Sequence, residues 1–351
     1  MWPWFYAIVA LLSACWVARA DPVDEYLNVE MQKHGIPGAS LLVLRTNQPV
    51  KRATYGLANL ELKVPVGPAT AFEIGSLTKQ FTAACILMLA QDGKITVDDK
   101  ISRYLHVPEL WQDITIRHLL THTSGLKSYT MLDGFELRRH LSQAQFIDTL
   151  AAQPLEFAPG QAFKYCNSGY NLLGFIIENI SGKSYWDFLS ERIFHPLGMD
   201  STTNRLPALI IPNRAAGYEQ TNHLWLNRDY DLTDVFSAGA IISTAGDLAK
   251  WNNSLDAGTL LNAASRQEMW TAARLNDGSV TKYGFGWRLE EFEGHQTIGH
   301  GGSTSGFSAS LQRFPEEHLA VILLTNTDEQ IATQLARNVA RFYLAKTYQP
   351  H

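Results

Sequence analysis

The hydrophobic pattern of this chain changes period twice, and that order limits the folds open to it. Apolar runs at 38–45 and 51–58 read as strands, with Asn47-Gln48-Pro49 between them as a turn, so the simple reading is a hairpin. From about Ile95 to Asp234 the pattern is helical, with candidate helices at 114–120, 141–152, 168–179 and 184–194 punctuated by Ser, Thr, Gly and Pro. Strand-like runs return at 283–289, 296–299, 306–314 and 319–325, joined by short polar turns. A predicted helix at 23–33 precedes the first strand, a capped helix is expected at 244–254, and an amphipathic helix at 328–346 closes the chain. The expected fold is therefore α+β: an antiparallel sheet drawn from both ends of the chain, flanked by terminal helices and interrupted by a mostly α-helical insert. The expected division is a sheet domain from 21–94 plus 235–351 and an insert over 95–234, with a site at their junction.

Size and charge narrow the function classes. A chain of 351 residues with 46% apolar and 18% charged residues has ordinary globular composition. Its net charge of −5 comes without any Lys/Arg run, so it lacks the electrostatic footprint of a nucleic-acid binder. Residues 1–20 join an apolar stretch to a small-residue cleavage signal before Asp21, which reads as an export signal peptide and predicts a periplasmic or secreted protein. The apolar stretch is shorter than the ~20 residues of a spanning helix. Leu12-Ser13-Ala14-Cys15 offers a second reading, a lipobox that would leave Cys15 lipidated as a membrane tether. Of three cysteines, only Cys85 and Cys166 would stay in the folded body, and their contexts argue against a disulfide framework.

The chemistry begins at Phe72-Glu73-Ile74-Gly75-Ser76-Leu77-Thr78-Lys79. A Ser and a Lys three residues apart share a helix face with Cβ atoms roughly 5–6 Å apart, which suits an amine activating a hydroxyl. Leu77, Phe81, Ala84, Cys85 and Met88 give the same helix an apolar stripe, so the pair sits at the N-terminal rim of a buried helix that Gly93 ends. Taken alone, Ser76 reads as an N-cap. Two more segments change the weight of that pair. Tyr165-Cys166-Asn167 precedes a predicted helix, and His300-Gly301-Gly302-Ser303 offers small residues where a substrate backbone can come close.

Together these three segments resemble the signatures of the serine β-lactamase and penicillin-binding protein superfamily. The resemblance is to the class C-like branch, with its β-lactamases, D-Ala-D-Ala carboxypeptidases, D-aminopeptidases and carboxylesterases. Arg117-His118-Leu119-Leu120-Thr121-His122-Thr123-Ser124-Gly125-Leu126, Ser237-Ala238-Gly239, the stretch from Ser243 to Ala249 and Tyr283-Gly284-Phe285-Gly286-Trp287 also fit, so coverage runs from about 24 to 345. The resemblance implies Ser76 as the acylated nucleophile, with Lys79 and Tyr165 as a coupled pair moving its proton. It implies Asn167 as a holder of Lys79 or a substrate amide. The backbone N–H groups of Ser76 and Ser303, the latter reached through His300-Gly301-Gly302, would form the oxyanion hole. Small-molecule or peptide substrates follow: a β-lactam, a D-amino acid peptide or an ester, with no cofactor.

Two departures bear on substrate. His300 stands where many β-lactamases have a lysine, offering at most a partly charged imidazole, and favours a peptidase or esterase over a dedicated β-lactamase. Cys166 replaces a serine common in the family. His118 and His122 stand at i, i+4, but Leu119 occupies the place of a metalloprotease glutamate, so no metal site is expected. No Gly-x-Ser-x-Gly elbow exists, which argues against an α/β-hydrolase. The rival from another class is a non-catalytic sensor that captures penicillin or peptidoglycan-like ligands.

Overall fold

The computed structural model describes residues 21–134 and 139–344. The expected leader and Cys15 lie outside those residues. The first helix, Pro22–Lys33, opens where the Asp21 side chain accepts the Val23 N–H and Pro22 takes the first helical position, both favourable starts. Its one buried stripe is Val23, Leu27 and Met31.

The sheet is antiparallel and seven-stranded, in the spatial order Val64–Pro65, Gln48–Asn59, Gly38–Arg45, Leu319–Thr325, Phe307–Phe314, His295–Thr304 and Arg288–Phe292. Its centre is the pairing of the first strand with the last, from Ala39 opposite Thr325 to Arg45 opposite Leu319. These two strands are apolar nearly throughout because both sheet faces are covered. Leu41 and Val43 point to a core beneath the terminal helices, with Leu27, Val321, Leu323, Leu335 and Val339. Leu42 and Leu44 point the other way, into a larger core with Phe81, Leu87, Ile322 and Leu324. The period-two alternation of a strand thus serves two cores at once.

The helix Thr78–Gln91 runs through the larger core, buried along almost its whole length, including Lys79, Gln80 and Thr82. Elsewhere the structure departs from the sequence expectation. The strand expected at 283–289 starts only at Arg288, because Tyr283 to Trp287 form a turn with Gly286 at φ 79°. The run expected at 296–299 extends from His295 to Thr304 and carries the Gly pair in extended backbone. The middle of the chain also contributes strands: Thr203–Asn204 pairs with Ile241–Ser243, which pairs with Phe72–Glu73. A hairpin joins Tyr218–Thr221 to Leu224–Asn227. Runs of two to four residues are too short to show a period. Among the described residues no helix is long and apolar enough to cross a membrane.

Candidate active site

Ser76 lies in a single 3₁₀ turn, Gly75–Leu77, which feeds directly into the helix Thr78–Gln91. This puts the Ser76 N–H at a helix start, where backbone donors lack intrahelical partners. Lys79, one turn on and fully buried, reaches three oxygens: Ser76 Oγ at 2.9 Å, Asn167 Oδ1 at 2.9 Å and the Ala238 carbonyl at 2.7 Å. Burial holds its amine well below the ordinary lysine range; the buried Cys166 opposes this and Arg288 adds to it. A neutral amine has two N–H donors and one lone pair. Asn167 Oδ1 and the Ala238 carbonyl can only accept, so in that form they take both donors and leave the lone pair facing the Ser76 hydroxyl.

Tyr165 comes from the helical middle, on extended backbone just before the helix Asn167–Ser181. Its ring centroid is 4.9 Å from Lys79 Nζ. Burial pushes the phenol well up, partly offset by Ser76, which stands in position to share a hydrogen bond, and by Arg288. The hydroxyl is buried and makes no contact of full hydrogen-bond geometry. Catalytic contacts are often loose before substrate arrives.

The strand His295–Thr304 supplies the opposite wall. Its outer neighbour pairs with it only as far as Gly299, so the edge beyond is open. Gly302 makes the approach possible: a Cβ there would lie 1.9 Å from the Ile74 carbonyl oxygen and 2.9 Å from the Ser76 nitrogen. Gly75, at φ 50°, is the matching position, its Cβ falling 2.5 Å from the Ser303 nitrogen. The turn holding Ser76 and the strand holding Ser303 therefore meet backbone to backbone. The cleft alongside, about 540 Å³, is lined by Ser76, Tyr165, Arg288, His300 and the run from Gly301 to Ser303.

The Beta-lactamase family model matches residues 23–346. The chain belongs to this family. It is 31% identical over 322 residues to Penicillin-binding protein 4* of Bacillus subtilis (strain 168), covering 85% of this chain and 70% of that one. It is 28% identical to Protein flp of Staphylococcus aureus (strain MW2), covering 90% of this chain but 65% of the relative, so it spans just under two thirds of that protein's length. Among solved structures, a D-amino acid amidase from Ochrobactrum anthropi SV3, complexed with L-phenylalanine amide, superposes with a TM-score of 0.79 at 25% identity, covering 92% and 99% of the two chains.

In this beta-lactamase family member the third motif is electrically unlike a lysine. His300 is buried; its Nδ1 donates to the Gly301 carbonyl, so Nε2 accepts from the Tyr283 hydroxyl at 2.9 Å. Burial lowers the imidazole to about 3, and His300 is neutral rather than partly charged. Two arginines that sequence reading missed line the cleft, Arg288 and Arg337. Arg337 is held by Glu290 and Gln312, whereas Arg288 has a half-exposed side chain, its guanidinium carbon 5.8 Å from the Tyr165 ring centroid and its ion pair to Glu290 a long 3.9 Å. Nothing in the sequence neighbourhood of Arg288 marks it; the bend at Tyr283 to Trp287 brings it to the cleft.

The two histidines considered for a metal have other occupations. His118 Nδ1 accepts the Thr115 N–H in a capping box. His122, at φ 59° and buried, accepts the Cys166 N–H on Nδ1 at 3.1 Å and lies against Tyr165, ring centroids 4.2 Å apart. It sets the height of the Tyr165-Cys166-Asn167 segment.

Proposed function

We propose that the protein is a serine hydrolase that opens amide or ester bonds through an acyl-enzyme on Ser76. The observation that carries this reading is the environment of Lys79: a buried amine, held by burial below the ordinary lysine range, that lies 2.9 Å from Ser76 Oγ and is hydrogen-bonded to Asn167 Oδ1 and the Ala238 carbonyl. Lys79 takes the hydroxyl proton as Ser76 Oγ attacks the substrate carbonyl. The oxyanion forms against the backbone N–H groups of Ser76 and Ser303, each such donor worth about 10²–10³-fold in rate. Tyr165, kept protonated by burial, passes a proton to the leaving nitrogen or oxygen as the C–N or C–O bond breaks. Water then enters by the reverse path and releases the acid.

Substrate class follows from the cleft's charge. With His300 neutral and Arg288 exposed, the favoured substrates are short D-amino-acid amides, peptides or esters whose polar or anionic end reaches Arg288. The amidase and penicillin-binding relatives support this choice over a dedicated β-lactamase. An exported location is part of the reading, supported by Asp21 serving as a helix N-cap directly after the expected cleavage point. N-terminal sequencing of the processed protein should begin at Asp21; a lipidated Cys15 terminus would replace that route.

A panel of nitrocefin, p-nitrophenyl esters and D-Ala-D-Ala peptides, with mass measurement of the Ser76 peptide, tests the reading. A covalent adduct on Ser76, with multiple turnovers on an amide or ester, is expected. Full activity in Ser76→Ala would overturn it. Lys79→Ala and Tyr165→Phe should each lose about 10³-fold or more in kcat while keeping the native circular dichroism spectrum.

A further inference from the structure

Where the Ser76 turn meets the Ser303 strand, both segments present glycine. Gly75 and Gly302 let the backbones touch, but a contact between two glycines has no interlocking side chains to fix its spacing. A site that stabilises an oxyanion needs that spacing held to a fraction of an ångström.

A side-chain link is present one step outside the contact on each segment. Glu73 lies three residues before Ser76, and Thr304 directly follows Ser303. The Thr304 hydroxyl donates to Glu73 Oε2 at 2.7 Å. The other carboxylate oxygen, Oε1, accepts from Arg205 Nε at 3.0 Å, and the two side chains are 2% and 5% exposed. Arg205 is itself anchored: it pairs with Asp229, which also binds Arg214, and its backbone N–H bonds to the Ala240 carbonyl. The small sheet of Phe72–Glu73, Ile241–Ser243 and Thr203–Asn204 holds all of this as one unit. A buried carboxylate gripped on one oxygen by an anchored guanidinium is a rigid acceptor for the hydroxyl on the other.

We propose that Glu73 is a positioning residue that sets the distance between the two oxyanion donors by holding Thr304. This rests on the proposed acyl-enzyme function for its meaning in turnover. Glu73 does not touch substrate; it acts through Thr304 on Ser303 and through three residues of backbone on Ser76. Burial raises its carboxyl to about 7 against the opposing pull of Thr304 and Arg205, with Asp229 adding slightly, so its charge changes in the range where such an enzyme works. Above that pH the hold is charge-assisted. Below it, Thr304 faces a neutral carboxyl, and the hold weakens.

The test compares wild type with Glu73→Gln, Thr304→Val, Thr304→Ser and the Glu73→Gln/Thr304→Val double variant on one p-nitrophenyl ester. At pH 8.5 Glu73→Gln and Thr304→Val should each lose about tenfold in kcat with KM nearly unchanged; the double variant should lose no more, and Thr304→Ser should stay near wild type. The ratio of wild-type to Glu73→Gln kcat should fall toward one by pH 5.5, since glutamine mimics the protonated acid. Wild-type kcat in Glu73→Gln at pH 8.5, a ratio that ignores pH, or additive losses would overturn the proposal. If Glu73→Gln does not fold, the Val and Ser variants at Thr304 decide it alone. Hydrogen exchange at the Ser76 and Ser303 amides reads the same hold without turnover: it should speed up in Thr304→Val, and unchanged exchange overturns the proposal even if the ester adduct on Ser76, which tests the function separately, never forms.

Discussion

At the scale of single residues, the site is built from side chains whose uncharged forms are favoured by burial. The Lys79 amine is pushed well below the ordinary lysine range, the Tyr165 phenol is pushed up, and the His300 imidazole stays neutral far into acid. Each shift has a stability consequence with a definite sign. His300 has its folded pKa depressed to about 3, against an unfolded value near 6.5. As pH falls below 6.5 the unfolded chain binds a proton at this position and the folded chain does not, so stability present above that pH is lost down to about 3. Between pH 7 and pH 5 this single group accounts for about 2 kcal/mol, at roughly 1.4 kcal/mol per pH unit below 6.5. Urea unfolding of wild type and His300→Gln at the two pH values should show the variant losing about 2 kcal/mol less on acidification; equal losses would mean the imidazole is not held neutral. His122, also lowered by burial, loses stability in the same direction and remains in both proteins.

At the scale of elements, the site depends on how near a strand can come to a helix start. Gly301 and Gly302 look interchangeable in sequence, and the structure separates them. A methyl at 302 meets the Ile74 carbonyl at 1.9 Å and the Ser76 nitrogen at 2.9 Å, both backbone. A methyl at 301 meets the Thr333 hydroxyl at 2.5 Å, a side chain that can rotate away. Gly302→Ala should therefore reduce kcat by about 100-fold, the scale of losing one oxyanion donor, whereas Gly301→Ala should cost less than tenfold. Similar losses in the two would place the strand differently. This level was only partly legible beforehand. The strands at 38–45 and 319–325 and the buried helix after Ser76 could be read because each carries a long apolar signal of its own. Arg288 and Arg205 could not: a lone arginine has no period, and what aims each of them is a turn or a two-residue strand. Glu73 stood inside the motif segment, yet its partners are distant in sequence, so nothing local separated it from a surface glutamate.

At the scale of the whole molecule, the cleft joins stretches that are far apart in the chain, among them 73–79, 165–167, 288–290 and 300–304. The joint between the helical middle and the sheet side must hold for Lys79 to keep its two acceptors, since one is Asn167 and the other is the Ala238 carbonyl. Asn171 makes that joint. From the helix Asn167–Ser181 its Nδ2 donates to the Asp234 carbonyl at 2.9 Å, and its Oδ1 accepts the Ala238 N–H at 3.2 Å, all in buried surroundings. Asp234 in turn accepts the His140 and Leu141 N–H groups, tying a further segment to the same point. Removing the amide strands one buried donor and one buried acceptor, a cost of about 1–3 kcal/mol for each unsatisfied group. It also frees the peptide that presents the Ala238 carbonyl to Lys79. Asn171→Ala should therefore lose both stability and about tenfold or more in kcat, with KM little changed. Leu335→Ala, in the core beneath the terminal helices on the far face of the sheet, supplies the contrast. It should lose about 2–5 kcal/mol of stability as a cavity cost while kcat at 25 °C stays near wild type. If both variants lose activity in proportion to stability, the joint has no special hold on Lys79; if only Asn171→Ala does, the two sides of the molecule communicate with the Lys79 amine through that one amide.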